Sequence, residues 1–275
     1  MARHGLTDEQ WSRLEHLFPT RSGGPGRPAV DQRRVVEGIL WVLRTGAPWR
    51  DLPEEFGKWQ TVYTYFAKWR DDGTFRAVQE FLQSELLALE KLQNDLWSVD
   101  GTSIRATRAA VGGEKKARVE EPLDHALGRS RGGFGTKVHL LVDGSGIPLG
   151  FHLTAGQAHE VTALEALLDP DDATPLLHRV EPKALAGDRG YSANWVRDRI
   201  AAVGWRPVIP KKRNERRVSN DDFDEHLYKR RNVVERCVGW LKECRRIATR
   251  YEKLAVSYAA MLTLACVQRY LRVLS

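Results

Sequence analysis

The run "LWSVDGTSI", Leu96–Ile104, marks where this chain changes character. It is rich in β-formers and broken at Asp100-Gly101, and runs of the same kind follow: "TKVHLLVDG" (136–144), "IPLGFHLTA" (147–155) and "PKALAGD" (182–188). Short β-rich segments punctuated by Gly and Pro read as strands. "HEVTALEALLD" (159–169) and "SANWVRDRIAAVG" (192–204) between them read as helices, and "WRPVIP" (205–210) as one more strand. Strands in succession, then strand–helix alternation, then a long helical tail predict a mixed α/β sheet with flanking helices over residues 94–275.

Upstream, residues 1–93 read as all helical. In "LTDEQWSRLEHLF" (6–18), Thr7 and Gln10 have capping-box spacing, with Leu6 and Trp11 as a hydrophobic staple. "PTRSGGPGRP" (19–28) is a loop. "VDQRRVVEGILWVLRTG" (30–46) follows with helical apolar spacing and Gly46 as its stop. A further helix carries Trp59, Val62, Phe66 and Trp69 as one stripe, and "TFRAVQEFLQSELLALEKLQ" (74–93) is the last before the change. Helix, turn and helix with polar and basic residues left outside fit a helix-turn-helix-like DNA reader, and fit a plain helical bundle equally.

The 275 residues carry 43 Lys and Arg against 36 Asp and Glu, a net charge of +7. Nine of those cations and only three Glu fall between Leu227 and Lys253. Such clustering is the expected footprint of a polyanionic partner. Cys237, Cys244 and Cys266 have neither zinc-ligand nor disulfide spacing, and fit a reducing, cytoplasmic setting. The N-terminus lacks the apolar run of a signal peptide. "LAVSYAAMLTLACV" (254–267) is too short to span a bilayer, so a buried terminal helix is expected, with no membrane partner.

Three acids stand out by context. Asp100 and Asp188 each end a strand beside a glycine, where open sheets place ligands. Each also has a dull reading, an Asp-Gly turn for Asp100 and a helix entry for Asp188. The third acid, Glu235, lies in "YKRRNVVERCVGWLK" (228–242). On one helix Tyr228, Arg231, Glu235 and Lys242 project within an arc of about 60°. An Arg231–Glu235 ion pair, worth about 0.2–0.5 kcal/mol on an exposed face, accounts for two of these four residues. Elsewhere, "GRSRGGFG" (128–135) reads as a flexible, DNA-contacting segment or as a turn, Asp143 as the shaper of a hairpin, and His159 with Glu160 as a helix-cap pair ahead of the alternative, a supporting role behind the catalytic acids.

The Tyr-x2-Arg-x3-Glu-x6-Lys spacing resembles the Y-R-E-K signature of DDE insertion-sequence transposases, nearest the insertion-sequence-five family and its insertion-sequence-four relatives. "VDGTSIRA", "GRSRGGFGTKVHLLVDGSGIPLGFHLTAGQAHE" and "LAGDRGYSA" resemble the family's strands, so the likeness covers nearly the whole chain. It implies an RNase H-like catalytic domain and a metal-binding triad at Asp100, Asp188 and Glu235. Two Mg²⁺ ions, with Mn²⁺ as a substitute, would serve both ends of an in-line phosphodiester displacement. Arg231 and Lys242 would hold phosphates, and Tyr228 would stack on a displaced base. Lys211, Lys212 and Arg213 in "PKKRNERRVS" (210–219) would extend the track along double-stranded DNA, or form a solvated loop. A homodimer pairing two element ends is the expected assembly. The alternatives are an idle DNA-binding protein of the same fold, or an RNase H-like nuclease without strand transfer.

Overall fold

The computed structural model describes residues 5–19, 30–111, 121–130, 132–212 and 223–275. Helix α1 (Asp8–Leu14) starts with the expected box: the Gln10 N–H donates to Thr7 Oγ1 at 3.1 Å, and the Thr7 N–H donates to Gln10 Oε1 at 3.2 Å. Helix α2 (Gln32–Thr45) is capped by Asp31 and stopped by Gly46 in the left-handed region, where glycine carries no Cβ penalty. Helices α3 (Trp59–Asp71) and α4 (Thr74–Ala88) complete the helical region, and Val62, Phe66 and Trp69 are buried as the stripe requires. From Gly46 to Lys58 the chain makes two short 3-10 turns before α3 begins. That connection is longer than the 3–4-residue turn of a helix-turn-helix. The loop at 20–29 lies outside the described residues.

The sheet strands are β1 (Trp97–Ala106), β2 (Gly128–Ser130), β3 (Gly133–Val142), β4 (Pro148–Ala155), β5 (Ala184–Ala186), β6 (Arg206–Val208) and β7 (Thr249–Arg250). β3 lies antiparallel to β1, β2 and β4, whereas β5 and β7 run parallel to β1, and β6 parallel to β5. Reading across, the order is β4-β3-β1-β5-β6 with only β3 reversed, the mixed RNase H-like sheet that was expected. The helices are α5 (Leu164–Leu167), α6 (Asn194–Ala202), α7 (Glu225–Arg230), α8 (Asn232–Glu243), α9 (Arg245–Ala248) and α10 (Ala255–Leu274). None of the described helices is long and apolar enough to cross a membrane.

One local expectation changes and another holds. "GRSRGGFG" is more than a turn, because Gly128–Ser130 pair with Gly133–Gly135 as β2 and the start of β3, while Arg131 itself lies outside the described residues. Asp143 does shape the β3–β4 turn: its fully buried carboxylate accepts from the N–H groups of Gln93, Ser145 and Ile147 at 2.7–3.0 Å.

Helix α10 joins the two regions into one core. Its buried face packs on α4 and also touches α2, α3 and β4. At the junction, Gln83 Nε2 of α4 donates to the Leu149 carbonyl at 2.8 Å and to Tyr270 Oη at 3.0 Å, and Tyr270 donates to the Pro148 carbonyl at 2.7 Å. These buried polar groups are satisfied only when helices and sheet keep this arrangement.

Candidate active site

Strand pairing along β1 creates the opening where the acids gather. β3 holds one edge of β1 from Ser98 to Arg105, with Asp100 opposite Leu140 and Gly101 opposite His139. On the other edge β5 pairs only Trp97 and Ser98, and β7 only Arg105 and Ala106. The sheet therefore forks, and residues 99–104 have no strand beside them on that edge among the described residues. The expected strand end at Asp100 is corrected: the strand continues through Asp-Gly because β3 pairs with it throughout. Asp100 reaches a sheet edge because its neighbour stops, not because its own strand does.

Asp188 lies two residues beyond β5 and caps the short 3-10 helix Arg189–Tyr191, accepting from the Gly190 N–H at 2.7 Å. The helix-entry reading thus describes its hydrogen bond. Its charge also acts on Asp100. Asp100 is pushed above the ordinary carboxylate value by burial, against the pull of Arg231 and of the Gly101 N–H.

The stretch expected as one helix is two. α7 and α8 meet at Arg231, where the Arg231 N–H bonds the Tyr228 carbonyl at 3.0 Å and the Val234 N–H bonds the Arg231 carbonyl at 3.0 Å. These i→i+3 bonds tighten the backbone at the junction. The Arg231 guanidinium then reaches Asp100 Oδ2 at 3.3 Å and Glu235 Oε1 at 2.5 Å, and its carbon lies 5.7 Å from the Tyr228 ring. Burial works against the charge of Arg231, but Asp100, Tyr228 and Glu235 outweigh it and hold its pKa above the ordinary value. Arg231 therefore joins an acid of β1 to an acid of α8 across 131 residues of chain.

The other expected residues are placed less centrally. Tyr228 packs beside Phe223, ring centroids 5.4 Å apart, against the small cluster of Leu96, Ala184, Ala186 and Val208. Lys242 lines a small cavity with Thr102 and Ile104 of β1. Lys211 is half-buried and Lys212 exposed just past β6, and Arg213 lies outside the described residues. The basic footprint is partly internal. Arg246 is buried against Glu252 at 2.5 Å, and Arg250 is fully buried among carbonyls.

The cap reading of His159 and Glu160 does not hold. The 3-10 helix Glu160–Ala163 has no side-chain cap bond at His159, and Glu160 instead faces Lys137 of β3 at 3.5 Å. Burial, then Asp188, raises its pKa, with Lys137 opposing. Carboxylate oxygens are the hard donors that Mg²⁺ prefers, so the donor set suits such an ion. Among the described residues no three acids converge on one ion in this arrangement, and the Arg231 guanidinium links Asp100 and Glu235. A cavity of ≈ 580 Å³ between α4, α10 and β4 lies away from these acids.

Comparison with known proteins gives the lineage. A family profile described as "Transposase DDE domain" matches residues 93–268, and one described as "Putative transposase of IS4/5 family" matches residues 6–79. The chain is 36% identical over 115 residues to the "Insertion element IS402 uncharacterized 16.2 kDa protein" of Burkholderia cepacia, covering 40% of this chain and 78% of that one. It is 31% identical over 137 residues to the "Putative transposase for insertion sequence element IS6501" of Brucella ovis, covering 50% of this chain and 98% of that one. Among solved structures, the Mos1 strand transfer complex is 15% identical over 82% of each chain with a TM-score of 0.28, too distant to carry an argument. With its sheet and helical tail inside a match over residues 93–268, the chain belongs to the DDE transposase family.

Proposed function

We propose that this DNA transposase cuts its element's ends and joins them to target DNA in a divalent-metal-dependent reaction, with Asp100, Asp188 and Glu235 as the metal-holding acids. The observation that carries this reading is the fork in the sheet. It leaves Asp100 and the Asp188 turn on one edge, and Arg231 ties Glu235 to Asp100. Bound Mg²⁺ would supply Lewis-acid stabilisation of the attacking and leaving oxygens of a phosphodiester. Asp100 and Asp188 sit on a strand and a capped turn, so their carboxylates need little reordering to receive a cation. Glu235 is the most exposed of the three and sits on α8.

Arg231 has two tasks in this scheme. In this arrangement it neutralises Asp100 and Glu235, whose charges would otherwise repel across a half-buried gap. With those acids holding metal instead, the guanidinium would be free for a phosphate, for which its planar fork is suited. Lys242, Lys211 and Lys212 extend the contact along double-stranded DNA, together with Arg213 outside the described residues, and Tyr228 offers a ring to a displaced base. Residues 1–93 act as the end-recognition part and 94–275 as the catalytic part, with the exposed Gln60, Thr64 and Lys68 of α3 turned toward DNA. Two copies pair two ends.

The test is a labelled fragment of the gene's own flanking DNA with purified protein, a target plasmid, and Mg²⁺ or EDTA. Metal-dependent nicks at one fixed boundary and joined products are expected. Specific binding without any nick would favour the idle DNA-binding reading, and nicks without joining would favour a nuclease.

Arg231→Ala should weaken end binding by about tenfold and lower the slope of log K against log salt by roughly one, the loss of a single phosphate contact. Titrations at several salt concentrations read both numbers. An unchanged slope would mean that Arg231 serves only its acid partners.

A further inference from the structure

Each of the two proposed catalytic aspartates is followed closely by a glycine, Gly101 after Asp100 and Gly190 after Asp188. Neither glycine is among those with positive φ, so no left-handed conformation demands it. The reason for both is space. A Cβ on Gly101 would lie 2.8 Å from Glu160 Cγ and 3.1 Å from Glu160 Oε1. A Cβ on Gly190 would overlap Glu160 Oε2 and lie 2.8 Å from Asp188 Oδ1. One side chain, Glu160, thus occupies the room left by both glycines, and its carboxylate meets that of Asp188 over Gly190.

A second, independent feature points to a missing ligand in the same place. Tyr191 is buried, 1% exposed, with its ring against Gly187, and its hydroxyl has no hydrogen-bond partner among the described residues. The charges acting most strongly on that hydroxyl are Glu160, Asp100 and Asp188, in that order. A buried hydroxyl left unpaired is costly, so the site calls for a partner that the protein does not itself supply. The charges agree. Among the described residues, Arg231 and Lys137 are the only ion-pair partners of Asp100, Asp188, Glu235 and Glu160, two cations against four acids.

Resting on the metal-site reading above, we propose that Glu160 is a fourth carboxylate of the metal centre, facing a divalent cation beside Asp188, with the Tyr191 hydroxyl bonded to the water around that ion. Lys137 anchors the acid from behind, since its Nζ also donates to the Ala158 carbonyl at 2.8 Å. The bland alternative is a structural Lys137–Glu160 ion pair. The two differ in sign. An acid held for a cation strains the metal-free protein, so its removal leaves metal-free stability equal or higher. Removal of a structural partner lowers it.

The experiment uses the full chain, Mn²⁺ titrated by electron paramagnetic resonance, and thermal melts with and without Mn²⁺. Wild type, Asp188→Asn, Glu160→Gln and Gly101→Ala are compared, the last displacing Glu160 without removing a charge. Glu160→Gln and Gly101→Ala should each weaken Mn²⁺ binding by roughly 10–100-fold, and Glu160→Gln should melt no lower than wild type without metal. Should Asp188→Asn lose affinity while both other variants bind normally, or should Glu160→Gln melt lower yet keep its full Mn²⁺-induced shift, this inference fails alone. Absence of Mn²⁺ binding in wild type would overturn the metal-site reading, and this inference with it.

Discussion

Glu235→Gln should leave end binding within about twofold of wild type and abolish strand cleavage, a loss of at least about a thousandfold in rate. The size follows from the chemistry. A metal ion supplies several kcal/mol of transition-state charge stabilisation, and each 1.36 kcal/mol is about tenfold in rate. Binding is spared because Glu235 is among the more exposed residues of α8, while the backbone, Arg231 and Lys242 are left in place. Gln keeps the volume and one acceptor oxygen but not the charge. Single-turnover cleavage of a labelled end, beside a gel-shift titration, separates the two effects. Cleavage at the wild-type rate would remove Glu235 from the site. The weaker Arg231 pair in the variant also makes a side prediction testable on the same sample, a change in metal-free stability of no more than about 1 kcal/mol, as for partly exposed ion pairs.

Arg250→Ala should be the most destabilising of the charge removals, by about 3–5 kcal/mol. The side chain is fully buried and its guanidinium is spread over four oxygens. Nε donates to the Glu252 carbonyl at 3.0 Å, one terminal nitrogen to Thr136 Oγ1 at 2.5 Å and the Ala126 carbonyl at 3.3 Å, and the other to the Lys253 carbonyl at 3.3 Å. Its carbon also lies 5.6 Å from the Tyr258 ring. Truncation removes the guanidinium donor from the Glu252 and Lys253 carbonyls and from Thr136 Oγ1, leaves the Ala126 carbonyl with the Thr136 hydroxyl alone, and opens a void between β7, β3 and α10. Burial lowers the pKa of Arg250, with Glu252 and other nearby acids opposing, so the charge is held inside by these bonds and those acids together. Denaturant unfolding of Arg250→Ala beside Arg236→Ala gives the contrast. Arg236 is exposed and, among the described residues, bonds only Asn232 at 3.2 Å, so its removal should cost no more than about 0.5 kcal/mol. Equal losses would mean that the buried cluster at Arg250 is not what holds β7 to the sheet.

These two variants also mark what sequence spacing can and cannot distinguish. Arg236 and Arg250 belong to the same basic run, and by composition they are equivalent. Local order was legible: the Thr7–Gln10 box, the Gly46 stop and the alternation from strand to helix after Asn94 are each set by neighbours a few residues apart. The i,i+4 meeting of Arg231 and Glu235 was legible for the same reason. The broken helix at Arg231 was not, because the force that holds that guanidinium comes from Asp100 on a distant strand.

By itself, then, the chain determined the order of its elements, its helical first third, its strand-rich middle, and the membership implied by Tyr228, Arg231, Glu235 and Lys242. Those depend on local propensity and periodicity, which a linear sequence contains in full. Tertiary structure alone decided which cations face outward and which, like Arg250, hold the interior. It also decided that β1 runs on through Asp100 while β5 stops short, and that Glu160 rather than a helix cap fills the space beside Gly101 and Gly190. Those outcomes depend on which residues meet across a forked sheet, a matter of long-range packing that no spacing along the chain encodes.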